Sequence, residues 1–281
     1  MPINKILKSL VNPGDTGGMI PPSAGNIGMS TNLFVSVPES VPGCNIGKYV
    51  INESVNRMLA RGITPRYAAL SFTLDMDFTL SQAAGVADAV RQAAVEAEVE
   101  IAAVDYKVLP DGPPTGIDVN VTLMGEVPAD LALGAGCIHS SDSVIITGPV
   151  GAHGVACSEQ SMGGLFFPPV GSDSCPLSDI VHSVMRIPDG LRMMYYPSGE
   201  SLREACAVLE SVAGHPLVID TDKIPVDRNV SRACRWLDVN PLDMVSAGVM
   251  VVVVEASCAE KALDAVKRSA FGAQAAVIGH F

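Results

Sequence analysis

Short β-prone runs and amphipathic helical stretches succeed one another along most of the chain, and they do not alternate strictly. Strict alternation of strands and helices is typical of a parallel α/β sheet, whereas grouped strands flanked by helices favour an α+β fold. The sequence therefore predicts an α+β protein. The predicted strands lie at residues 32–37, 67–74, 101–109, 116–126, 143–147, 217–220, 249–255 and 275–278, and the predicted helices at 46–61, 79–94, 201–213, 228–237 and 257–266.

The distribution of glycine and proline along the chain predicts two subdomains behind a flexible start. Residues 1–30 begin with a short helix and are otherwise rich in Gly, Pro and Ser, which interrupt regular structure, so we expect a flexible N-terminal segment at 1–30. A second glycine-rich stretch, GPVGAHG at 148–154, separates the remaining strands into two groups. We therefore expect one domain at 31–149 and another at 150–281.

Several helix starts carry a capping box, in which a Ser or Thr precedes a Gln or Glu by three residues. Each side chain of such a pair bonds a backbone N–H group that the first helical turn leaves free. The predicted boxes are Thr79 with Gln82, Ser201 with Glu204, and Ser257 with Glu260.

The acidity of the chain excludes some classes of partner. It carries 30 acidic and 18 basic residues, for a formal net charge of −12. A nucleic-acid-binding protein needs basic residues to neutralise phosphates, and an anionic membrane surface would repel this charge, so neither partner is expected. The longest apolar run, at 249–254, is far shorter than the ~20 residues of a membrane helix. Seven cysteines without a C-x-x-C pair argue against a disulfide framework, and cytoplasmic location is expected.

Few motifs point to chemistry on their own. GDTGG at 14–18 lacks the lysine and following helix of a phosphate-binding loop, so a flexible turn is favoured over a phosphate cradle. His153 lies between glycines, which favours a tight turn leading into a helix. Asp105 lies beside Lys107 in an apolar strand. Because an unpaired carboxylate is costly to bury, we expect Asp105 to face a cleft or a cation.

Eight short segments occur along the chain in an order that is typical of one family. With them the chain resembles the carbamoyl dehydratases of hydrogenase maturation, the HypE type, in the superfamily of aminoimidazole ribonucleotide synthetase and selenophosphate synthetase. The segments are PGCNIGK (42–48), VNRMLARG (55–62), AVDYKVLPDG (103–112), ITGPVGAHGVA (146–156), SDSCPL (172–177), DKIPVDRNVSRAC (222–234), LDVNPLDM (237–244) and FGAQAAVIG (271–279).

The resemblance implies a PurM-like fold of two subdomains. Residues 31–149 would form a dimerising domain of the ATP-binding type, whose sheet completes a barrel with a second copy, and residues 150–281 an α/β sandwich. Members of the family use ATP and Mg²⁺ to phosphorylate and dehydrate a carbamoyl group on their own C-terminal cysteine, with aspartates holding the metal against the phosphates. The resemblance thus implies a homodimer, or a heterodimer with a related active protein, and a maturation-protein partner.

Most of the family's acidic positions are changed in this chain. Asp105 and Lys107 keep the residues of the family's G-D-T-K motif. The changed positions are Asn32 in the T-D-S motif, Asn45 in P-G-G-D-I-G-K, Arg57 in V-N-D, Tyr196 and Gly199 in D-P-T-R-G-G, and Ala247 in N-E-G. The guanidinium of Arg57 would oppose metal binding, so we expect turnover of Mg²⁺-ATP of the family kind to be lost. Its geometry nevertheless matches that of a phosphate group. The chain also ends at Phe281, before the family's cysteine tail.

These changes favour a non-catalytic binding or scaffold protein linked to metalloenzyme maturation. The alternative is an enzyme with altered nucleotide- or small-anion-dependent chemistry in the same cleft. A truncated but otherwise ordinary dehydratase is disfavoured, because truncation would leave the acidic residues intact. Cys44 is the candidate substitute for the terminal thiol, although isolated cysteines usually pack as small apolar side chains. The candidate catalytic residues are Asp105 and Lys107, and the candidate ligand-binding residues are Asn32, Asn45, Asn56, Asp105, Lys107 and His153, with no metal ligand predicted.

Overall fold

The computed structural model describes residues 2–11, 20, 25–129, 132–187 and 190–281 of the chain. The GDTGG motif at 14–18 lies outside the described residues. In the first half, the elements are α1 (Pro2–Lys8), β1 (Ile27–Phe34), β2 (Ser40–Val41), β3 (Cys44–Asn45), α2 (Ile46–Leu59), β4 (Thr64–Asp75), α3 (Leu80–Glu96), β5 (Glu100–Leu109) and β6 (Ile117–Glu126). In the second half, they are β7 (Ser143–Ile146), α4 (Ala152–Ser161), α5 (Ser178–Met185), β8 (Leu191–Tyr195), α6 (Leu202–Ala213), β9 (Val218–Ile219), α7 (Arg228–Leu237), β10 (Val251–Val254), α8 (Ala259–Arg268) and β11 (Ala276–His280).

The first half folds into a four-stranded mixed sheet with helices on one face. The strand order is β1-β6-β4-β5, with β4 and β5 parallel and the other neighbours antiparallel. In β6, alternate residues from Ile117 to Leu123 are fully buried, and they lie on the face against which α2 packs. Alternation of this kind is expected of a sheet with one covered face. The opposite face of the sheet is the more exposed one.

The second half contains a five-stranded antiparallel sheet with the order β8-β10-β7-β11-β9. All four valines of β10 are fully buried, because both faces of this sheet are covered. Val252 and Val254 belong to the large core that also contains the inner face of the first sheet. Val251 and Val253 belong to a second core under α6. A strand buried on both faces is expected to be a continuous apolar run, as the sequence has it.

The α+β fold class predicted from the sequence is confirmed, and most strand and helix predictions are correct to within a few residues at each end. The capping boxes at Thr79 and Ser201 are both formed. The predicted box at Ser257 is wrong, because the Ser257 hydroxyl donates to Glu255 instead and α8 begins at Ala259 without a side-chain cap. The predicted capping hydroxyl of Ser257 is therefore bonded to the Glu255 carboxylate and does not cap α8.

Three elements were not predicted: α5, β8 and the β2–β3 hairpin. The sequence of β8, LRMMY, contains no β-branched residue, and its extended conformation is fixed by pairing with β10. Tertiary pairing overrides weak local preference in such a case. Part of the segment expected to be flexible, residues 1–30, is packed: α1 lies against α3 and β5, and Leu7 is buried. Among the described residues, none of the helices has the length and apolar content to cross a membrane.

Candidate functional site

Three of the positions at which the chain departs from the family's acidic motifs, Asn32, Arg57 and Tyr196, belong to one network around the buried carboxylate of Glu53 on α2. Its side chain is only 2% exposed. Arg57, one helical turn later, approaches Glu53 Oε1 with its Nε at 3.4 Å and donates from Nη1 to Asn32 Oδ1 at 2.8 Å. The Tyr196 hydroxyl lies 2.7 Å from Glu53 Oε2, and the Ser198 hydroxyl donates to Oε1. We refer to Asn32, Glu53, Arg57, Tyr196 and Ser198 as the Glu53 network.

The Glu53 network joins the two halves of the chain. Asn32 comes from β1, Glu53 and Arg57 from α2, and Tyr196 and Ser198 from the residues after β8. The Tyr196 hydroxyl also lies 2.9 Å from the Ala247 carbonyl oxygen, so its proton is shared between two acceptors. Burial and the Glu53 charge raise the pKa of Tyr196 well above its ordinary value, so the phenol stays protonated and acts as a donor.

Two further asparagines predicted as ligand-binding residues hold the backbone in place. The Asn45 side chain caps α2 by accepting from the Lys48 N–H at 3.1 Å and donates to the Gly85 carbonyl oxygen. Asn56 is fully buried. It donates to the Cys175 carbonyl oxygen and accepts from the Leu177 N–H, both at 2.9 Å. In this structure the amide atoms of both asparagines are therefore already engaged by the chain itself.

A second polar cluster surrounds His153 on α4. The imidazole stacks on Tyr49, with ring centroids 4.7 Å apart and an interplanar angle of 1°. Its Nδ1 lies 2.8 Å from the Ser172 hydroxyl and its Nε2 lies 3.5 Å from Cys157 Sγ. Burial lowers the pKa of His153 to about 4, so the ring is neutral near pH 7. Burial raises the thiol pKa of both Cys157 and Cys44, which keeps them as thiols rather than thiolates.

The loop that replaces the family's N-E-G motif is anchored by Asp173. Its carboxylate accepts from the Ala247 N–H at 3.1 and 3.2 Å and from the Gly248 N–H at 3.1 Å. A Cβ atom at Gly248 would clash with the Asp173 carbonyl oxygen, so only glycine fits this close approach. Burial raises the pKa of Asp173, and the N–H donors oppose that rise.

Asp105 and Lys107 lie apart from both clusters. They are exposed on the edge strand β5, in register with Ser71 and Thr73 of β4, whereas the Glu53 network lies on the covered side of the sheet. In the single chain Asp105 is exposed to solvent and not buried without a partner. The structure brings Asn32 and Arg57 into contact, but it does not bring Asp105, Lys107, Asn56 and His153 into one pocket.

A cavity of about 620 Å³ opens beside the Glu53 network. Arg57 and Arg61 contribute the positive charge of its wall, and Tyr196 and Ser198 contribute hydroxyl groups. Much of the remaining wall is apolar, formed by residues that include Leu133, Met193, Val208 and Val212. Its volume lies within the ordinary range of small-molecule sites, which are mostly apolar with a few converging polar groups.

The residues at this site do not fit a magnesium ion bound with ATP. Magnesium is held by carboxylates and substrate phosphates, and the one carboxylate of the network is already bonded by Arg57, Tyr196 and Ser198. Across the described residues, no group of three or more His, Cys, Asp or Glu side chains is arranged to hold a metal.

Sequence reasoning missed Glu53, the centre of the network. The signal that could have found it is its spacing to Arg57, because opposite charges four residues apart lie on one helix face. The contacts of Glu53 with Tyr196 and Ser198 span more than 140 residues of sequence. No local pattern predicts them.

The chain is similar to curated relatives over most of its length. It is 31% identical to a carbamoyl dehydratase HypE of Rhizobium leguminosarum bv. viciae over 260 residues, covering 91% of this chain and 73% of the relative. It is 29% identical to a carbamoyl dehydratase HypE of Cupriavidus necator, covering 94% of this chain and 76% of the relative. No family model matches the chain.

Solved structures confirm the PurM-like fold. The crystal structure of a hydrogenase maturation protein HypE in complex with ATP superposes with a TM-score of 0.89 at 26% identity, covering 99% of this chain and 81% of that one. A HypE chain from a HypE–HypF complex gives a TM-score of 0.86 at 26% identity, covering 99% and 92%. Thiamine monophosphate kinase from Aquifex aeolicus, at 18% identity and a TM-score of 0.69 with 99% and 91% covered, shares the fold alone.

Proposed function

The chain belongs to the carbamoyl dehydratase HypE family, and we propose that it serves in the maturation of a hydrogenase-type metalloenzyme as a non-catalytic binding or scaffold protein. The maturation role is carried over from the relatives, which are carbamoyl dehydratases and hydrogenase expression proteins. The non-catalytic character is argued from the Glu53 network.

The observation that carries the proposal is the guanidinium of Arg57 bonded to Glu53 and Asn32, at a position where the resemblance places a metal-holding aspartate. Two unit charges about 4 Å apart interact by about 4 kcal/mol at the effective dielectric of a protein surface. Replacing a carboxylate with a guanidinium therefore converts a large attraction for a metal ion into a repulsion. The one carboxylate of the Glu53 network is neutralised by that same guanidinium.

Two assays on the full chain test the proposal. We expect no hydrolysis of ATP in the presence of Mg²⁺, and no rise in melting temperature on adding Mg²⁺-ATP, because a ligand stabilises only a protein to which it binds. The HypE protein that crystallised with ATP serves as the positive control for the thermal shift. Mg²⁺-dependent stabilisation of this chain comparable to that of the control would overturn the proposal.

The cavity beside the network favours a second candidate function, altered nucleotide- or small-anion-dependent chemistry in the same cleft. Arg57 and Arg61 line a wall that is otherwise largely apolar, which suits an anionic ligand with an apolar body. Calorimetric titration with ADP without metal, and separately with inorganic phosphate, tests this candidate. Binding of ADP that is lost in Arg61→Gln would favour it, and no heat with either probe would exclude it for these ligands.

A maturation-protein partner and a homodimer are part of the same proposal. The HypE–HypF complex supports a partner of this kind, since one of its chains shares the fold over almost the whole of this chain. The uncovered face of the first sheet supports self-association, because Ile27, Met29 and Leu33 of β1 are exposed there. Sedimentation velocity of the purified chain would show a dimer if this face pairs, and a monomer at all concentrations would contradict it.

A further inference from the structure

A surface on the second half of the chain combines exposed aromatic side chains with arginines that form no ion pair among the described residues. The arginines belong to α7, and the aromatic side chains belong to α7 and to the loop after α4. We define the arginine–tryptophan surface as Arg228, Arg232, Arg235 and Trp236 of α7 together with Leu165 and Phe167 of the loop.

The three arginines form a row on one helix face. They stand at positions i, i+4 and i+7, which lie above one another in an α-helix, and all three are exposed. None of them forms an ion pair with a carboxylate of the described residues. In a chain with a net charge of −12, this row is a local concentration of positive charge that no carboxylate of the described residues approaches to ion-pair distance.

The apolar side chains next to this row are unusually exposed. Trp236 is 62% exposed and Phe167 is 91% exposed. The loop is nevertheless attached to the helix: Phe166 meets Trp236 edge-to-face at 5.6 Å, and Arg232 Nη2 donates to the Phe167 carbonyl oxygen at 2.9 Å. A small core that includes Val155 of α4 and Val230 and Cys234 of α7 lies underneath. The surface is therefore built on packed elements.

We infer that the arginine–tryptophan surface binds an acidic amphipathic segment of a partner protein. Guanidinium groups bind carboxylates in bidentate geometry, and Trp and Arg are the residues most enriched at the energetic centres of protein interfaces. Carboxylates of the partner would pair with Arg228 and Arg235. Its apolar side chains would cover Trp236 and Phe167. This inference does not depend on whether the chain binds ATP.

Charge and symmetry argue against other occupants. A second copy docking through the same surface would form a two-fold contact in which a patch meets itself, and this would bring the arginine rows together. A nucleic acid carries one charge per phosphate, and three arginines offer few neutralising contacts on a molecule whose net charge of −12 repels it. A protein segment with a few carboxylates between apolar residues fits both parts of the surface.

Trp236 makes the test direct, because it is the only tryptophan of the sequence. The probe is a synthetic helical peptide without tryptophan, with leucines on one face and glutamates on the other, titrated against the full chain. We expect a saturable blue shift of the Trp236 emission, as burial removes the indole from water, and weaker binding at higher salt. The same peptide with lysine in place of glutamate is expected to give no shift.

Charge reversal provides matched variants. Arg228→Glu with Arg235→Glu leaves the Arg232 bond to the loop intact, and we expect it to weaken probe binding by about tenfold or more. Lys261→Glu with Lys267→Glu makes the same change of net charge on exposed positions of α8, and we expect it to bind within about twofold of the unaltered chain. Circular dichroism of both variants checks that they fold.

Several results would overturn the inference. Equal weakening of probe binding in both double variants would show that net charge alone causes the effect. The absence of a saturable shift with the glutamate peptide would show that the surface does not bind such a segment. A shift with oligouridylate but not with the peptide would assign the surface to nucleic acid. A shift that depends on protein concentration without any probe would assign it to a second copy of the chain.

Discussion

Two regions of this molecule use arginine in opposite ways. In the Glu53 network, Arg57 is bonded to Glu53 and Asn32. On α7, Arg228 and Arg235 face solvent without a carboxylate partner among the described residues. A guanidinium paired with a carboxylate of its own chain stabilises that chain, whereas one without a carboxylate partner is available to a carboxylate of another molecule. The first region therefore bears on folding and the second on recognition.

Removing the carboxylate of Glu53 should have the largest effect on stability. Glu53→Ala leaves Arg57 without its carboxylate partner, Ser198 without its acceptor and Tyr196 with only one of its two acceptors, so we expect a loss of about 3 kcal/mol, the lower part of the range for a broken buried pair. The lower part applies because the Arg57 side chain is 41% exposed. Urea denaturation measures the change in the free energy of unfolding.

Glu53→Gln is the matched control for that experiment. Its amide oxygen still accepts hydrogen bonds, so we expect a smaller loss, of about 1 to 2 kcal/mol. Equal losses in the two variants would mean that the charge of Glu53 contributes nothing, and the contrast with the α7 arginines would fail.

The pKa of His153 predicts that the free energy of unfolding depends on pH, an effect that the arginine–tryptophan surface lacks. Burial lowers this pKa from 6.5 to about 4, so between these values the unfolded state binds more protons than the folded state. The contribution of His153 to the free energy of unfolding is fully present above pH 6.5. It is lost as the pH falls toward 4, by up to about 3 kcal/mol. Urea denaturation across this pH range measures it.

His153→Phe keeps a ring that can stack on Tyr49 but has no titrating group. Its stability should fall less steeply between pH 6.5 and 4 than that of the unaltered chain. Parallel curves for the two proteins would show that another group causes the dependence.

Two neighbouring tyrosines allow a buried hydrogen bond to glutamate to be compared with a more accessible one. Tyr196→Phe removes the hydroxyl shared between Glu53 and the Ala247 carbonyl oxygen, and we expect a loss of about 1.5 kcal/mol because both acceptors stay buried. Tyr195→Phe removes a hydroxyl bonded at 2.6 Å to the more accessible Glu200. We expect a smaller loss there, and the reverse order in urea denaturation would contradict the role assigned to the network.

The smallest effect is expected on α7. Arg228→Gln with Arg235→Gln removes two charges that have no ion-pair partner among the described residues, so the free energy of unfolding should change by no more than about 0.5 kcal/mol. A loss comparable to that of Glu53→Ala would show that these arginines stabilise the fold, and the comparison between the two regions would not hold.

The first sheet was largely predictable, because its strands carry local patterns. Alternation from Ile117 to Leu123 predicts one covered face, and the Thr79 capping box marks the start of α3. Strand β8 was not predictable in this way, since LRMMY has no strong strand preference and owes its conformation to β10. The sequence pattern at Ser257 was misleading because Glu255, two residues earlier, competes for the hydroxyl.

The candidate site was only partly predictable. The replaced acidic positions at Asn32, Arg57 and Tyr196 were recognisable from the family's motifs, and the structure brings these three into one network. Glu53, the partner of both Arg57 and Tyr196, lies in none of the eight family segments. The position of Asp105 on the exposed face of an edge strand depends on strand order, which local sequence does not specify.

Our central proposal is that an internally bonded network occupies positions at which the resemblance places metal-holding residues of the family. Isothermal titration calorimetry of the full chain with ATP in the presence of Mg²⁺ tests it most directly. We predict no saturable heat, because the only carboxylate of the network is bonded to Arg57, Tyr196 and Ser198. A saturable Mg²⁺-dependent isotherm with one nucleotide per chain would contradict this account.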